Sequence, residues 1–274
     1  LSAVHSLLCG GEPVNASVLR RFLDVYTSAG LDPVALRPCY GLAESTLAVS
    51  FTPRGQGLRT DRVSGRALSE QGYANAALGA EEAVEVVDCG MPFPGHEIVA
   101  IDTEGVVCTE RWVGEIWVRG PSVAAGYAND AAETADAFRA DGWLRTGDRG
   151  YLAEGRLHVT GRLKDVLVVN GRNVDPQSVE WLAETVPGVR LGGVVAFTRP
   201  GTDTEEVVVV AECRPGQEAE VRSAVRKVVA QHLGLRIAEV IAARPGTVLK
   251  TTSGKPRRSE MRARHLAGVS KAPA

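Results

Sequence analysis

Two glycine-containing turns near the middle of the chain carry side chains that could bind a ligand with both hydroxyl and phosphate groups. The first, at residues 145–148, ends in the carboxylate of Asp148, and the second, at residues 161–165, carries Arg162 and Lys164. A carboxylate accepts hydrogen bonds from hydroxyls, and a guanidinium donates to phosphate oxygens. Glycine at such turns lets the backbone approach a ligand closely. On these residues alone, the alternative is an ordinary β-meander with solvated charges at its corners.

Two loops near the beginning of the chain could form a slot for a planar base. The sequence Gly-Gly-Glu-Pro at residues 10–13 follows an apolar run that predicts a short buried strand, and Tyr40-Gly41 follow a second run at residues 34–36. A helix capped by Asn15 separates the two runs. This strand–helix–strand order predicts a parallel α/β sheet, in which ligands gather at the carboxyl ends of the strands.

Tyr40 and Glu44 have side chains suited to that slot. The ring of Tyr40 offers a stacking face, and the carboxylate of Glu44 is a hard oxygen ligand of the kind that Mg²⁺ prefers. Taken singly, Tyr40 as a half-buried core aromatic and Glu44 as a charge at a helix start are the alternatives.

A lysine in a loop near the end of the chain, Lys255, is a further candidate. Its surroundings at residues 250–258 read KTTSGKPRR, which is not a Walker loop, because Leu249 stands at the first glycine position and Pro256 follows the lysine. A lysine ammonium could bridge a carboxylate and an α-phosphate while they react. By residue type alone, a solvated lysine is the alternative.

The elements around these residues predict a chain of mixed α/β and α+β architecture. Residues 1–163 read as part of a large domain, with an α/β segment at 1–50 and a β-rich subdomain at 83–161. Residues 52–83 have little periodicity and indicate either an insertion or a plain surface loop. Residues 164–274 predict a small domain with the order β-α-β-β-α-β.

Composition excludes several classes of protein. Among 274 residues, 44% are hydrophobic and 23% are charged, as in soluble globular proteins, and the net charge of −2 gives no global electrostatic case for nucleic acid. No apolar run is long enough for a membrane helix, and the beginning of the chain shows no signal peptide. The five cysteines are scattered and odd in number, which argues against a zinc site or disulfide framework and fits reduced thiols in the cytoplasm.

The order of the motifs resembles the adenylate-forming (ANL) superfamily: acyl-CoA ligases, nonribosomal adenylation domains and fatty acyl-AMP ligases. The segments that carry the resemblance are CGGEPV at 9–14, YGLAE at 40–44, GEIWVRGPSVAAGY at 114–127, GWLRTGD at 142–148 and the TSGK loop at 252–255. Many members have Thr where this chain has Ala43, and YGLAESTLAVSF at 40–51 is similar to fatty acyl-AMP ligases. In those enzymes an insertion near 52–83 hinders productive use of CoA.

The resemblance implies a role for each candidate residue. Tyr40 would stack on adenine, Asp148 would hold the ribose hydroxyls, and Glu44 would help to hold Mg²⁺. Arg162 would contact the ribose and phosphate region, Lys255 would serve the adenylation step, and Lys164 would be the hinge between the domains. The residues of the nucleotide slot would also include Gly10, Gly11, Glu12, Pro13 and Gly41.

The resemblance also implies a two-step reaction with ATP and Mg²⁺. A carboxylic acid, expected to be a fatty acid, would form acyl-AMP and pyrophosphate, and the phosphopantetheine thiol of an acyl carrier protein would then displace AMP, as in polyketide and nonribosomal peptide biosynthesis. Arg257 and Arg258 could meet such an acidic carrier, although a solvated helix face is the simpler interpretation.

Two alternative functions stay open from the sequence. One is an acyl-CoA ligase or nonribosomal adenylation domain, and the other is a noncatalytic nucleotide-binding or carrier-docking remnant. The chain begins with Leu1 and lacks the phosphate loop that precedes the GGEP region in the family. The resemblance covers about the C-terminal half of the family's usual length, so we expect a partial enzyme.

Overall fold

The computed structural model describes residues 1–11, 13–79, 83–201, 204–252 and 254–268. Glu12, a predicted slot residue, lies outside the described residues. Contacts within the chain divide it into two units. The first unit comprises Leu1–Val63, Gly72–Ala77 and Glu85–Lys164. The second comprises Ser64–Gln71, Leu78–Val84 and Asp165–Ala274.

The strands and helices combine the α/β and α+β elements predicted from the sequence. In chain order the strands are β1 Leu7–Cys9, β2 Leu36–Tyr40, β3 Ser50–Phe51, β4 Thr60–Ser64, β5 Ala83–Val87, β6 Met91–Pro92, β7 Glu97–Ile101, β8 Gly114–Arg119, β9 Leu144–Ala153, β10 Arg156–Arg162, β11 Leu167–Val169, β12 Arg172–Val174, β13 Val189–Pro200, β14 Glu205–Cys213 and β15 Ile237–Ala243. The helices are α1 Ala16–Thr27, α2 Gly65–Gln71, α3 Ala131–Ala137, α4 Pro176–Glu184, α5 Glu218–Leu233 and α6 Arg258–Leu266.

The first unit begins with the predicted strand–helix–strand arrangement. β1 pairs in parallel with β2, and β3 and β6 continue the sheet in the order β1-β2-β3-β6. The Asn15 side chain caps α1 by accepting hydrogen bonds from two backbone N–H groups of its first turn. β1 is shorter than predicted, since it begins only at Leu7. It is also less buried than predicted, since Leu8 is 52% exposed.

A four-stranded antiparallel sheet, in the order β10-β9-β8-β7, forms the β-rich part of the first unit. Its apolar side chains and those near the end of β2 share one core. The buried members of that core are Tyr40, Val49, Cys89, Ile98, Ile116, Val118 and Leu157. The carboxyl end of β2 therefore lies against the sheet that carries Asp148 and Arg162. The prediction of a turn at residues 145–148 is wrong: they lie within β9, where the pairing with β8 shifts register beside them.

The segment at residues 52–83 contains ordered elements that its weak periodicity did not predict. It forms β4 and α2, and α2 belongs to the second unit. Gly65 of α2 is packed so tightly that an added Cβ would lie 2.7 Å from the His232 carbonyl oxygen. The interpretation of this segment as a plain loop is therefore wrong over Thr60–Ser64 and Gly65–Gln71.

The second unit is built around a three-stranded sheet in which β14 pairs antiparallel with β13 and parallel with β15. Val207 and Val209 of β14 pack in the core that contains α4 and α5, whereas Val208 and Val210 pack in the core that contains Met261 of α6. Both faces of β14 are thus covered, as expected for a nearly continuous apolar strand.

The first strand of this unit forms a hairpin that the predicted β-α-β-β-α-β order omitted. β11 pairs with β12 across Asn170-Gly171, and both turn residues have positive φ angles, of 52° and 75°. An Asn-Gly pair suits such a turn because both residues adopt the left-handed region readily. This signal was present in the sequence and was overlooked.

Arg258 contradicts the prediction of a solvated helix face. Its side chain is only 13% exposed, and its guanidinium donates to Glu180 Oε1 at 2.9 Å, Asp165 Oδ2 at 2.9 Å and the Ala196 carbonyl oxygen at 3.0 Å. Arg257 is on the surface and pairs with Glu260 at 2.7 Å. Because Arg258 is engaged within the second unit, it is not available to an acidic partner.

Two further structural findings concern the described residues only. Among them, none of the helices has the length and apolar character needed to cross a membrane. None of the five cysteines, all of them among the described residues, takes part in a disulfide.

A hydrogen-bonded cluster in the first unit generates a stability prediction. Asp61 of β4 accepts hydrogen bonds from the Tyr151 hydroxyl at 2.9 Å and from Arg111 at 3.0 Å, and Tyr151 is fully buried. Asp61→Ala should lower the free energy of unfolding of this unit by about 1–3 kcal/mol, because it leaves the buried hydroxyl without this acceptor. Combined with Tyr151→Phe it should cost less than the sum of the single changes.

Peptide-resolved hydrogen exchange in increasing denaturant follows each unit separately and measures this effect. Asp24→Ala on the exposed side of α1 is the control and should change stability by less than about 0.5 kcal/mol. Additive effects of Asp61→Ala and Tyr151→Phe would contradict the coupling.

The Glu180–Arg258 pair generates a prediction about pH. Burial raises the pKa of Glu180 from 4.5 to about 7, with a smaller contribution from Glu184, while the charge of Arg258 and the Ala196 N–H oppose the rise. Between these two values the folded state binds more protons than the unfolded state, so this group makes stability fall as pH rises. Arg258→Gln removes the opposing charge and should extend the fall to higher pH.

We therefore expect Arg258→Gln to destabilise the second unit more at pH 8 than at pH 6, by about 1.4 kcal/mol for each unit of further rise in the Glu180 pKa. Denaturant titration at the two pH values, followed by hydrogen exchange of α4 peptides, measures the difference. Arg258→Gln combined with Glu180→Gln should lose the pH dependence; if it does not, the titrating group is a different one.

Candidate functional site

Three predicted site residues lie together in the first unit. Tyr40 ends β2, while Asp148 of β9 and Arg162 at the end of β10 are paired residues of the antiparallel sheet. The Tyr40 hydroxyl donates to Asp148 Oδ2 at 2.7 Å, and Arg162 Nε donates to Asp148 Oδ1 at 2.8 Å. Each oxygen of this carboxylate therefore holds one partner.

The two partners of Asp148 differ in exposure. Tyr40 is buried, and its burial together with the nearby Asp148 carboxylate raises its pKa well above the usual value, so the phenol stays neutral and keeps its proton. The Arg162 side chain is 64% exposed, whereas that of Asp148 is 9% exposed. Because the Arg162 end of this ion pair is solvated, a ligand that offers hydroxyl donors can compete with Arg162 for the carboxylate.

Glycine is required at two points of the predicted slot. An added Cβ on Gly41 would lie 1.6 Å from the Leu47 carbonyl oxygen, and one on Gly10 would lie 2.5 Å from the Cys39 carbonyl oxygen. Gly11 has a φ of +80°. The loops after β1 and β2 thus approach backbone so closely that no side chain fits, which makes both glycines structural before any ligand is considered.

Glu44 lies in a 3₁₀ turn, Ala43–Ser45, that one loop holds in place. Tyr127 donates from its hydroxyl to Glu44 Oε1 at 2.7 Å, and the Ala124 N–H donates to the Glu44 carbonyl oxygen at 2.8 Å. Burial and the Glu44 carboxylate raise the pKa of Tyr127 to about 12, so it remains a donor at neutral pH. Sequence reasoning assigned no role to Tyr127, although it closes the GPSVAAGY motif.

The backbone after Glu44 is strained. Thr46 has a φ of 62° and a ψ of −59°, which is an outlier for a β-branched residue. Its hydroxyl donates to the Ser122 carbonyl oxygen at 3.2 Å, and the hydroxyls of Ser45 and Ser122 lie 2.7 Å apart. Strain of this kind persists where surrounding contacts fix the conformation, and it is concentrated at functional sites.

The donor set around Glu44 fits a magnesium ion that a substrate helps to hold. The described residues contain no group of three or more His, Cys, Asp or Glu side chains that could hold a metal ion by themselves. Mg²⁺ is commonly bound by one or two carboxylates, with substrate phosphates and water completing the octahedron. A single carboxylate fixed by Tyr127 is compatible with that arrangement.

Lys255 lies in the second unit, in a loop between Leu249 and α6. Lys250 and Pro256 form an antiparallel bridge at its base, and the Arg257 N–H donates to the Leu249 carbonyl oxygen at 2.8 Å. Lys255 is exposed near the tip of this hairpin. Lys164 lies in the 3₁₀ turn Leu163–Asp165 and is the last residue of the first unit.

Comparisons with known proteins agree with these features. Residues 1–128 match the family model described as AMP-binding enzyme. A Caulobacter vibrioides protein, provisionally named an acyl-CoA synthetase, is 38% identical, with the alignment covering 98% of this chain and 48% of that protein. JamA of Moorena producens, a medium-chain-fatty-acid ligase for acyl carrier protein, is 33% identical, with coverage of 98% and 48%.

A solved structure gives the same result for the fold. A chain from work on fatty acyl-adenylate ligases from E. coli and L. pneumophila superposes with a TM-score of 0.84 at 34% identity, covering 96% of this chain and 48% of that one. The chain spans about half the length of the curated relatives it matches. The motifs, the fold and these similarities confirm the resemblance stated from the sequence: the chain belongs to the adenylate-forming superfamily of AMP-binding enzymes, which includes the fatty acyl-AMP ligases.

Proposed function

We propose that the whole protein activates a fatty acid with ATP, releasing pyrophosphate and forming acyl-AMP, and then transfers the acyl group to the phosphopantetheine thiol of an acyl carrier protein. The observation that carries the proposal is the Asp148 carboxylate, which has a fixed buried donor in Tyr40 and an exposed one in Arg162. A ribose with two adjacent hydroxyls is the kind of ligand that can replace the exposed donor.

The nucleotide would be held by the loops that the glycines make possible. Asp148 would accept hydrogen bonds from the ribose hydroxyls, which would free Arg162 for the phosphate groups. The adenine would lie between the Tyr40-Gly41 loop and the turn of Gly10, Gly11, Glu12 and Pro13. Tyr40 exposes only 9% of its surface, so its stacking role stays a prediction.

In the first step an oxygen of the fatty acid carboxylate would attack the α-phosphorus of ATP, and the bond from that phosphorus to the pyrophosphate oxygen would break. Negative charge increases on the phosphate oxygens, so cations fixed in advance stabilise the transition state. Arg162 and Lys255 would supply two of them. Glu44 would hold Mg²⁺, whose role is to neutralise phosphate charge.

In the second step a thiol would displace AMP from the acyl group. Lys255 and the thiol cannot occupy one site, so the second unit would move about Lys164 between the steps. A carrier acceptor is supported by the similarity to JamA. The similarity to the Caulobacter vibrioides protein favours CoA as the second candidate acceptor. Supplying holo-carrier protein and free CoA separately distinguishes them, because only the true acceptor forms thioester.

Removing the Lys255 ammonium tests the role of the hairpin. Lys255→Ala should slow acyl-AMP formation by the whole protein about 100- to 1,000-fold, the usual cost of a lost transition-state donor. Transfer from supplied acyl-AMP should be nearly unchanged, because the ammonium acts only in the first step. Pyrophosphate exchange and thioester formation measure the two steps.

Lys250→Ala is the matched control, since Lys250 is an exposed lysine at the base of the same hairpin. It should retain both steps. Full acyl-AMP formation by Lys255→Ala would contradict the assignment, and absence of acyl-AMP with the unchanged whole protein would favour a noncatalytic nucleotide-binding role.

Removing the hydroxyl that fixes Glu44 tests the magnesium assignment. Tyr127→Phe deletes one hydrogen bond and should raise the magnesium concentration needed for half-maximal acyl-AMP formation about 2- to 10-fold, corresponding to about 0.5–1.5 kcal/mol. Tyr26→Phe, a change in an exposed tyrosine of α1, is the control. An unchanged magnesium requirement in Tyr127→Phe would show that Glu44 does not depend on this contact for metal binding.

A further inference from the structure

Arg258 connects three separate parts of the second unit to the start of α6. Its three guanidinium nitrogens reach Asp165, Glu180 of α4 and the carbonyl oxygen of Ala196 on β13. The same Glu180 carboxylate accepts a hydrogen bond from the Ala196 N–H at 2.9 Å. A planar guanidinium fits three such acceptors in fixed directions, which a lysine ammonium does not.

The hairpin that carries Lys255 ends where Arg258 begins α6. Two backbone hydrogen bonds join residues within the hairpin: the Thr251 N–H donates to the Lys255 carbonyl oxygen at 2.8 Å, and the Gly254 N–H donates to the Thr251 carbonyl oxygen at 2.9 Å. These bonds hold the two arms of the hairpin together. The segments on either side of the hairpin are anchored in the second unit, by the buried Val248 before it and by Met261 of α6 after it. Arg258, at the start of α6, adds its bonds to Asp165, Glu180 and Ala196.

Asp165 connects this network to the boundary between the two units. The segment Asp165–Ala274 of the second unit begins with this residue, which directly follows Lys164. Its side chain is 35% exposed, and Arg258 Nη1 lies 2.9 Å from its Oδ2. One guanidinium therefore links the residue after the predicted hinge to the segment that presents Lys255.

We propose that Arg258 is a positioning residue: through its bonds to Asp165, Glu180 and Ala196 it fixes the Lys255 hairpin relative to the residue that follows the hinge. This inference rests on the proposed function of Lys255 in acyl-AMP formation. Arg258 acts through Lys255 and does not touch the reacting groups. The fatty acid carboxylate meets a correctly placed ammonium only while the hairpin keeps this direction.

The test compares two arginines of α6. Arg262 lies one turn after Arg258 and also bonds β13, donating to the Thr198 carbonyl oxygen at 2.7 Å, but its carboxylate partner is Glu205 and not Asp165. Arg258→Gln should slow acyl-AMP formation by the whole protein about 10- to 100-fold, the size of effect expected from misplacement of a reacting group. Arg262→Gln should slow it less than about twofold.

Two readouts separate positioning from general stability. Transfer from supplied acyl-AMP should stay within about twofold in Arg258→Gln, and hydrogen exchange of residues 249–257 should become faster by a larger factor than that of α5. Arg258→Lys keeps the positive charge but loses the planar set of N–H donors. Its rate of acyl-AMP formation should therefore lie between those of Arg258→Gln and the unchanged protein. Asp165→Asn leaves the Glu180 pair intact and should slow acyl-AMP formation in the same direction with little loss of stability.

The outcomes are distinguishable. If Lys255→Ala abolishes acyl-AMP formation while Arg258→Gln and Asp165→Asn do not slow it, this inference is wrong and the proposed function stands. If Lys255→Ala leaves acyl-AMP formation unchanged, this inference and the role of Lys255 are wrong, while the proposed activity stands. Absence of acyl-AMP with the unchanged whole protein would instead overturn the proposed function. If Arg258→Gln loses both steps and exchange protection throughout the second unit, and Asp165→Asn is fully active, Arg258 is only structural and the positioning role is overturned.

Discussion

The Asp148 carboxylate is the point on which the candidate site depends. It lies on β9, opposite Arg162 of β10, and the β2 strand brings Tyr40 to its other oxygen. A buried carboxylate is stable only when donors hold it, and here one donor is permanent while the other is at the surface. The sheet pairing therefore does two things at once: it gives the carboxylate a donor on each oxygen, and it places one of those donors, Arg162, at the surface.

Backbone shape, more than side-chain type, gives the rest of the site its geometry. Gly41 and Gly10 allow contacts with neighbouring carbonyl groups that any Cβ would prevent, and Thr46 holds a φ angle that threonine rarely adopts. The loop at residues 120–127 stabilises that strained turn through Ser122 and fixes Glu44 through Tyr127. The strained turn and the Tyr127 hydrogen bond together orient the Glu44 side chain, as its proposed role in holding Mg²⁺ would require.

Sequence reasoning succeeded where information is local and failed where contacts join distant residues. The helices in the β-α-β-β-α-β order predicted for residues 164–274 rest on local patterns, and both are present, as α4 and α5. Arg258 was misjudged because its acceptors lie 62 to 93 positions away, and Tyr127 was missed because Glu44 lies 83 positions away. The Asn170-Gly171 hairpin differs, since its local signal was available and overlooked.

Two arginines show how exposure separates possible functions of the same side chain. Arg162 and Arg258 each pair with an aspartate at close to the same distance, 2.8 and 2.9 Å, but their side chains are 64% and 13% exposed. Leaving its partner costs Arg162 little, because water can solvate the guanidinium. If Arg258 left its partners, the buried Glu180 carboxylate would lose its cation, which would strongly destabilise the second unit. The exposed arginine is therefore suited to exchange a carboxylate for a ligand's phosphate, and the buried one to hold a loop in one direction.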